Sequence, residues 1–362
     1  MSKELRVLLG ILILLVPFCV AQPQDSTIVE EEEDYSMYDN LDFVAEGTKR
    51  FCTSKVLGLS PQKLISLGYD FQGGADLSTD VNNSLFNNES ARIEYSHGLR
   101  LQGNIPVLSR NSIIIQANIN YAEQNYVALK NDENTVGTNL FERSFLNYGL
   151  RTAGIGTTIF KPLDEENYLL FQVSGDNNGD YGWNALPDLA NTRLSAAAIW
   201  GKKVSDRKMW GWGLSRTYRA GDLNYIPVFL LNWTSANSKW GAEMLLPARA
   251  QLRRSFNSRN LLLIGYELEG QTYRIDSRNQ GVSNLELRRS ELRFRLAYER
   301  SISGFIWLSF QAGFRYNYSF NIDDLPNNRD FFRGFFGDQP YFMENTLSNT
   351  FYSMVSINLV SP

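Results

Sequence analysis

The chain has 362 residues, with 35 Lys and Arg against 39 Asp and Glu, a formal charge of −4, one histidine and two cysteines. His97 alone cannot build a Cys/His metal site, and Cys52 has no second cysteine beside it once the export signal is cleaved, so neither a metal, a cofactor nor an internal disulfide is expected. The charge is unevenly spread: residues 22–50 carry a net of −7 and residues 51–362 about +2, with no basic stripe, which excludes a nucleic-acid partner.

Lys3 and Arg6 precede an apolar run from Val7 to Val16, then Pro17 and Cys19-Val20-Ala21. A positive start, an apolar centre too short to span a bilayer and a small final residue predict a secretory signal over 1–21, cleaved near Ala21. Residues 22–60 are acidic and aperiodic, and are expected to form a disordered periplasmic leader.

From residue 61 the pattern changes to long segments alternating apolar and polar residues. In the stretch after Gly304, Ile306, Leu308, Phe310, Phe314, Tyr316, Tyr318 and Phe320 share one parity, while Ser309, Gln311, Arg315, Asn317 and Ser319 share the other. A strand turns successive side chains to opposite faces, so such a segment has one apolar and one polar side. Fourteen segments of this kind are predicted: 63–73, 91–107, 111–126, 144–161, 167–175, 192–203, 208–219, 224–234, 239–246, 248–256, 260–274, 286–300, 305–321 and 349–360. Treating 239–256 as one bent strand breaks the even count unless another pairing changes too, which makes 12 the alternative.

Connections alternate between short turns and long polar loops, with two short exceptions, at residues 220–223 and at Pro247. Long strands with one apolar face, joined in this way, predict an all-β antiparallel transmembrane β-barrel over 61–362, with both termini in the periplasm of a Gram-negative bacterium. Its expected partners are outer-membrane lipid and the barrel-assembly machinery, which would read the C-terminal strand. Trp200, Trp210, Trp212, Tyr218, Trp233 and Trp240 sit near strand ends, as an interfacial aromatic girdle would.

The block from Tyr225-Ile226-Pro227 through Trp233, then Trp240 through Leu246-Pro247, then Gly265-Tyr266 and Gly270–Tyr273 resembles a domain-of-unknown-function family of Gram-negative outer-membrane β-barrels. The resemblance covers roughly residues 60–362. It implies an outer-membrane barrel and carries no established activity.

The polar parity becomes rich in charge late in the chain. Arg249, Arg253, Glu267, Glu269, Glu291, Arg293, Arg295, Glu299 and Arg315 all oppose apolar positions, so they are expected to line one wall of the interior. Interleaved charges of both signs can orient a small polar solute in a channel, or they can pair with one another and fill the barrel. The functional expectation is therefore a passive channel or binding site for a small polar solute. The alternative is a filled, non-conducting barrel with a structural or adhesive role through its external loops. The last long loop contributes Phe331, Phe332, Phe335, Phe336, Tyr341 and Phe342, a dense aromatic group able to form a cap, a gate or a contact surface. No enzymatic activity is expected: His97 shares the apolar parity, and Ser96 points the other way.

Overall fold

A computed structural model describes residues 51–81, 89–128, 149–182, 191–218, 224–275, 285–324 and 341–361, all within one unit, 49–362. Sixteen strand segments follow in chain order: β1 (Lys63–Gln72), β2 (Ala75–Val81), β3 (Glu89–Arg110), β4 (Ile113–Ala128), β5 (Leu150–Pro162), β6 (Asn167–Gly179), β7 (Thr192–Ser205) and β8 (Lys208–Thr217). Then come β9 (Asn224–Thr234), β10 (Trp240–Leu246), β11 (Arg249–Asn257), β12 (Asn260–Ile275), β13 (Leu285–Ser303), β14 (Ile306–Asp324), β15 (Met343–Leu347) and β16 (Thr350–Val360). From β3 to β14 each strand pairs antiparallel with the next.

The sheet closes on itself. β1 pairs with β3 on one edge and with β16 on the other, from Lys63↔Val360 to Gln72↔Tyr352. β2 likewise lies between β3 and β15. β1 and β2 are one stave broken at Gly73-Gly74, and β15 and β16 are another broken at Ser348-Asn349, so the closed antiparallel barrel has fourteen staves. The two breaks lie side by side and are stitched by Gly73 N–H to Phe351 O (2.9 Å) and Ser348 N–H to Asp76 O (2.9 Å).

The alternation decides which way each side chain faces. On β1, Ile65, Leu67, Tyr69 and Phe71 are exposed, while Asp70 and Gln72 are buried. On β14, Leu308, Phe310 and Tyr316 are exposed, and Ser309, Gln311 and Arg315 are buried. Ile155 at 72% exposure and Phe351 at 74% would be costly in water and are natural against hydrocarbon. A closed ladder with an apolar outside and a polar inside is the transmembrane β-barrel of outer-membrane type. Trp200, Trp212, Trp233 and Trp240 face outward near the short turns, and the Arg254 guanidinium lies 4.5 Å from the Trp240 ring.

At the loop end the alternation inverts. Between β13 and β14 the register shifts, with Ser290 opposite Ser319 and Glu291 opposite Asn317, so Tyr318 is left without a partner. One extra residue moves every later side chain to the other face. Phe320, expected on the lipid side, is consequently 1% exposed and packs inside with Ile322, Leu285 and Leu287. Tyr126, Leu150, Tyr273 and Met343 join them, so the loop end of the barrel is filled by an apolar core. Phe342 packs against this core, and the Arg288 guanidinium lies 5.8 Å from the Tyr341 ring. Phe331, Phe332, Phe335 and Phe336 lie outside the described residues.

At the opposite end, residues 51–60, which the sequence groups with the acidic leader, cross the barrel mouth as a strap. Cys52 N–H donates to Asp164 O (2.8 Å), Leu57 N–H to Asp206 O (2.7 Å), and Ser60 donates through N and Oγ to Glu243 Oε1 (3.0 and 2.8 Å). Cys52 and Val56 pack on the inward-facing Phe160, Tyr168 and Met209.

Two tests follow from this packing. Phe320→Ala, removing a ring from the loop-end core, should lower stability against urea by about 3–5 kcal/mol, whereas trimming the lipid-facing Phe310 should cost less. Burial raises the pKa of the Cys52 thiol, so the reactive thiolate is depleted at neutral pH. Maleimide should label Cys52 slowly in the folded barrel and fully after urea unfolding; equal rates would contradict the packed strap.

Candidate functional site

The interior charges converge on β13. Arg289, Glu291, Arg293 and Arg295 occupy alternate positions and so share the inner face. Facing them are Asp70 and Gln72 from β1, Ser96 and Arg100 from β3, Gln124 from β4, Glu269 from β12 and Arg315 from β14.

Arg293 is the centre of the arrangement. Its Nη1 lies 2.8 Å from Asp70 Oδ2, and its Nε lies 3.0 Å from Glu269 Oε2 and 2.5 Å from Glu291 Oε1. Arg100 reaches across from β3 and clasps Glu269 with both terminal nitrogens, at 2.8 and 3.1 Å, while its Nε sits 2.9 Å from Asp70. Glu291 also receives Arg289 Nη2 at 2.7 Å and has Arg315 Nε at 3.4 Å. Arg315 donates to Gln72, whose oxygen also accepts from Gln124 Nε2 at 2.7 Å.

β3 and β12 are not neighbours in the sheet, so the Arg100–Glu269 clasp spans the lumen. Seven charged side chains thus form a lattice with four guanidiniums and three carboxylates, one positive charge in excess. Glu291 is 0% exposed and Arg315 1%. Burying ions costs several kcal/mol each unless geometry and hydrogen bonding compensate, and the planar fork of arginine suits the task.

The nine residues singled out in the sequence lie on four adjacent strands, β11 to β14, and divide into separate groups. Glu269, Glu291, Arg293 and Arg315 belong to the lattice. Glu267 and Arg295 make a separate pair (2.6 Å), with Arg295 also donating to Gln251 Oε1 at 2.7 Å; Arg249, opposite Glu267 in the ladder, is exposed at the loop-end tip of β11. Arg253 lies nearer the strap, 3.3 Å from Glu243, and Glu299 pairs with Lys63 at 2.6 Å. Asp70, Arg100, Arg289 and Gln72 were not singled out, although the alternation puts Asp70 and Gln72 on the polar parity of β1. What the pattern could not give is the partner across the lumen.

His97 faces outward, where Tyr69 Oη lies 2.8 Å from its Nδ1, and Ser96 faces inward onto Gln72, so the two form no nucleophile–base pair. At Gly154, where a nucleotide-binding loop could be imagined, an added Cβ would collide with Asp176 and Asn120; the glycine makes room for inward polar packing.

Removing Glu291 leaves three guanidiniums without their shared counter-ion. Glu291→Ala should cost about 3–5 kcal/mol in urea unfolding of the refolded barrel. Glu299→Ala, whose lysine partner is partly exposed, should cost about 1 kcal/mol or less.

The description "Domain of unknown function (DUF6268)" matches residues 74–359. No curated protein matches the sequence. Among solved structures, the chain is similar to an outer-membrane channel from Pseudomonas putida F1 at 12% identity and a TM-score of 0.36, over 84% of this chain and 97% of that one. It is similar to the P. putida toluene transporter TodX at 8% identity and a TM-score of 0.31, over 84% and 92%. The translocator domain of the autotransporter NalP from Neisseria meningitidis gives 9% and 0.29, over 83% and 90%.

Proposed function

The chain belongs to the DUF6268 family of domains of unknown function, and we propose that it is an outer-membrane channel for a small polar solute, held closed at rest by the arginine–carboxylate lattice. The carrying observation is the clasp between Arg100 and Glu269 across the lumen. Charges in that position satisfy each other at rest and become available to a solute only when the clasp opens. The short turns and both chain ends then face the periplasm, as is usual for barrels whose long loops lie on the outer side.

The excess guanidinium gives the route a preference for anions once it opens, because a fixed positive charge in a narrow, poorly solvated passage attracts counter-ions. A second reading, a filled barrel acting through its external loops, draws support from the apolar core at the loop end.

Planar-bilayer conductance separates the two. The wild-type barrel should be nearly silent, and Arg100→Ala and Arg293→Ala should each open steady currents. Both changes remove the excess positive charge, so the anion preference should appear instead in Glu269→Ala, which opens the clasp from its other side. Folded, heat-modifiable variants that stay silent would favour the filled barrel.

A further inference from the structure

The other half of the interior is built differently. On the inner faces of β6 to β10, Leu170, Ile199, Val228 and Leu245 surround a cavity of about 120 Å³, and none of the residues lining it is ionisable. The polar groups it does present are neutral: the hydroxyls of Ser174, Ser195, Ser215 and Thr217 and the carboxamide of Gln172. Ser215 donates only a long bond, 3.4 Å to Ala196 O, and its oxygen can still accept.

The ladder shows how this chamber is reached. β10 and β11 are the shortest strands in this part of the wall, and their hairpin tip, Leu246-Pro247-Ala248, lies level with the middle of β12. The last β11 contacts with β12 are Arg249↔Glu267 and Leu268 N–H to Ala248 O (2.7 Å). Beyond them, among the described residues, that edge of β12 is met only near its far end, where Arg274 pairs with Gly179 of β6 and Asn178 donates to Gln271 at 3.0 Å. Among the described residues the wall therefore has a notch over the β10–β11 tip, roofed where β6 meets β12. The cavity is lined by Pro247 and by Leu268, a residue of the outward parity, so its lining runs from the interior to that notch.

We propose that this chamber is a binding site for a small uncharged molecule with an apolar body and one hydrogen-bonding head, entered sideways through the notch. Its size sets the scale: a dry apolar cavity of ~150 Å³ holds a benzene ring. Its chemistry sets the class: an ion placed there would lose its hydration with no counter-charge to meet it, whereas an alcohol would find hydroxyl partners beside an apolar pocket. The site shares no lining residue with the lattice, so it stands or falls independently of channel closure.

The test is calorimetric titration of the full barrel in lipid nanodiscs, corrected for empty nanodiscs, with benzyl alcohol, benzoate and benzylamine as probes. Benzyl alcohol should bind saturably, and its two charged congeners roughly 10-fold or more weakly. Ala197→Phe, which fills the chamber from β7, should weaken benzyl alcohol binding by roughly 10-fold or more through steric exclusion, and Val228→Phe from β9 should do the same. Uptake no greater than in empty nanodiscs, equal binding of the charged probes, or unchanged binding in folded variants would each overturn the proposal. Should neither variant fold, the comparison of neutral and charged probes on the wild type decides alone. Folded Arg100→Ala and Arg293→Ala barrels that conduct no ions yet bind benzyl alcohol would sink the channel reading and keep this site.

Discussion

A backbone amide in hydrocarbon has no water to turn to, and the rest of this molecule depends on that constraint. Every strand must find a partner on both edges across the membrane, so the chain closes its first stave on its last and pairs all the others in order. Closure then sorts the side chains, because a pleated strand cannot put two successive residues on one face. Apolar residues such as Ile65, Leu67 and Phe351 are delivered to lipid. Their alternates, including Asp70, Arg293 and Arg315, are delivered to an interior in which they must satisfy one another.

The lattice around Arg293 is one solution to that forced burial. A lone buried carboxylate or guanidinium would be ruinous, and a scattered set of pairs would leave each ion half compensated. Bringing Asp70, Glu269 and Glu291 within reach of one guanidinium, and then bracing each carboxylate with a further arginine, shares the cost among strands remote in sequence. It also ties β1 and β3 to β12 and β13 through the lumen rather than along the sheet. Such ties resist widening of the barrel on this side. On the β6–β10 side, ties between remote strands lie at the loop end, where Arg193 of β7 pairs with Glu286 of β13 and Asn178 of β6 donates to Gln271 of β12; the chamber below them has a neutral lining.

The sequence made the strands legible because period-two alternation is a local property: nearly all predicted segments coincide with observed ones, and the count of fourteen staves is recovered. Three features escaped because they are set by pairing. The bulge at Tyr318 inverts the β14 faces, and nothing in the residues themselves marks it, so Phe320 reads as a lipid-facing residue until the register is known. The continuations β2 and β15 are short and lie past breaks at Gly73-Gly74 and Ser348-Asn349, where the alternation is interrupted. Which arginine meets which carboxylate across the lumen is invisible along any one strand. One clue is local: the unusually short connection at Pro247 is the tip of the low β10–β11 hairpin.

That low hairpin also explains how the two halves of the interior can differ. A full-height wall around the barrel would enclose β6 to β10 as completely as the lattice side, and the space inside would have to be filled or braced. Where β10 and β11 stop level with Leu268, β6 instead leans across to β12 and closes the barrel over a smaller circumference at the loop end. The upper storey is narrow enough for Phe320, Tyr273 and Leu150 to pack it as a core. The lower storey keeps its wider girth, with charged cross-braces on one side and a small apolar chamber on the other. Charge pairing crosses the interior on one side, while strand length sets the low wall on the other, so the two halves answer to different parts of the sequence.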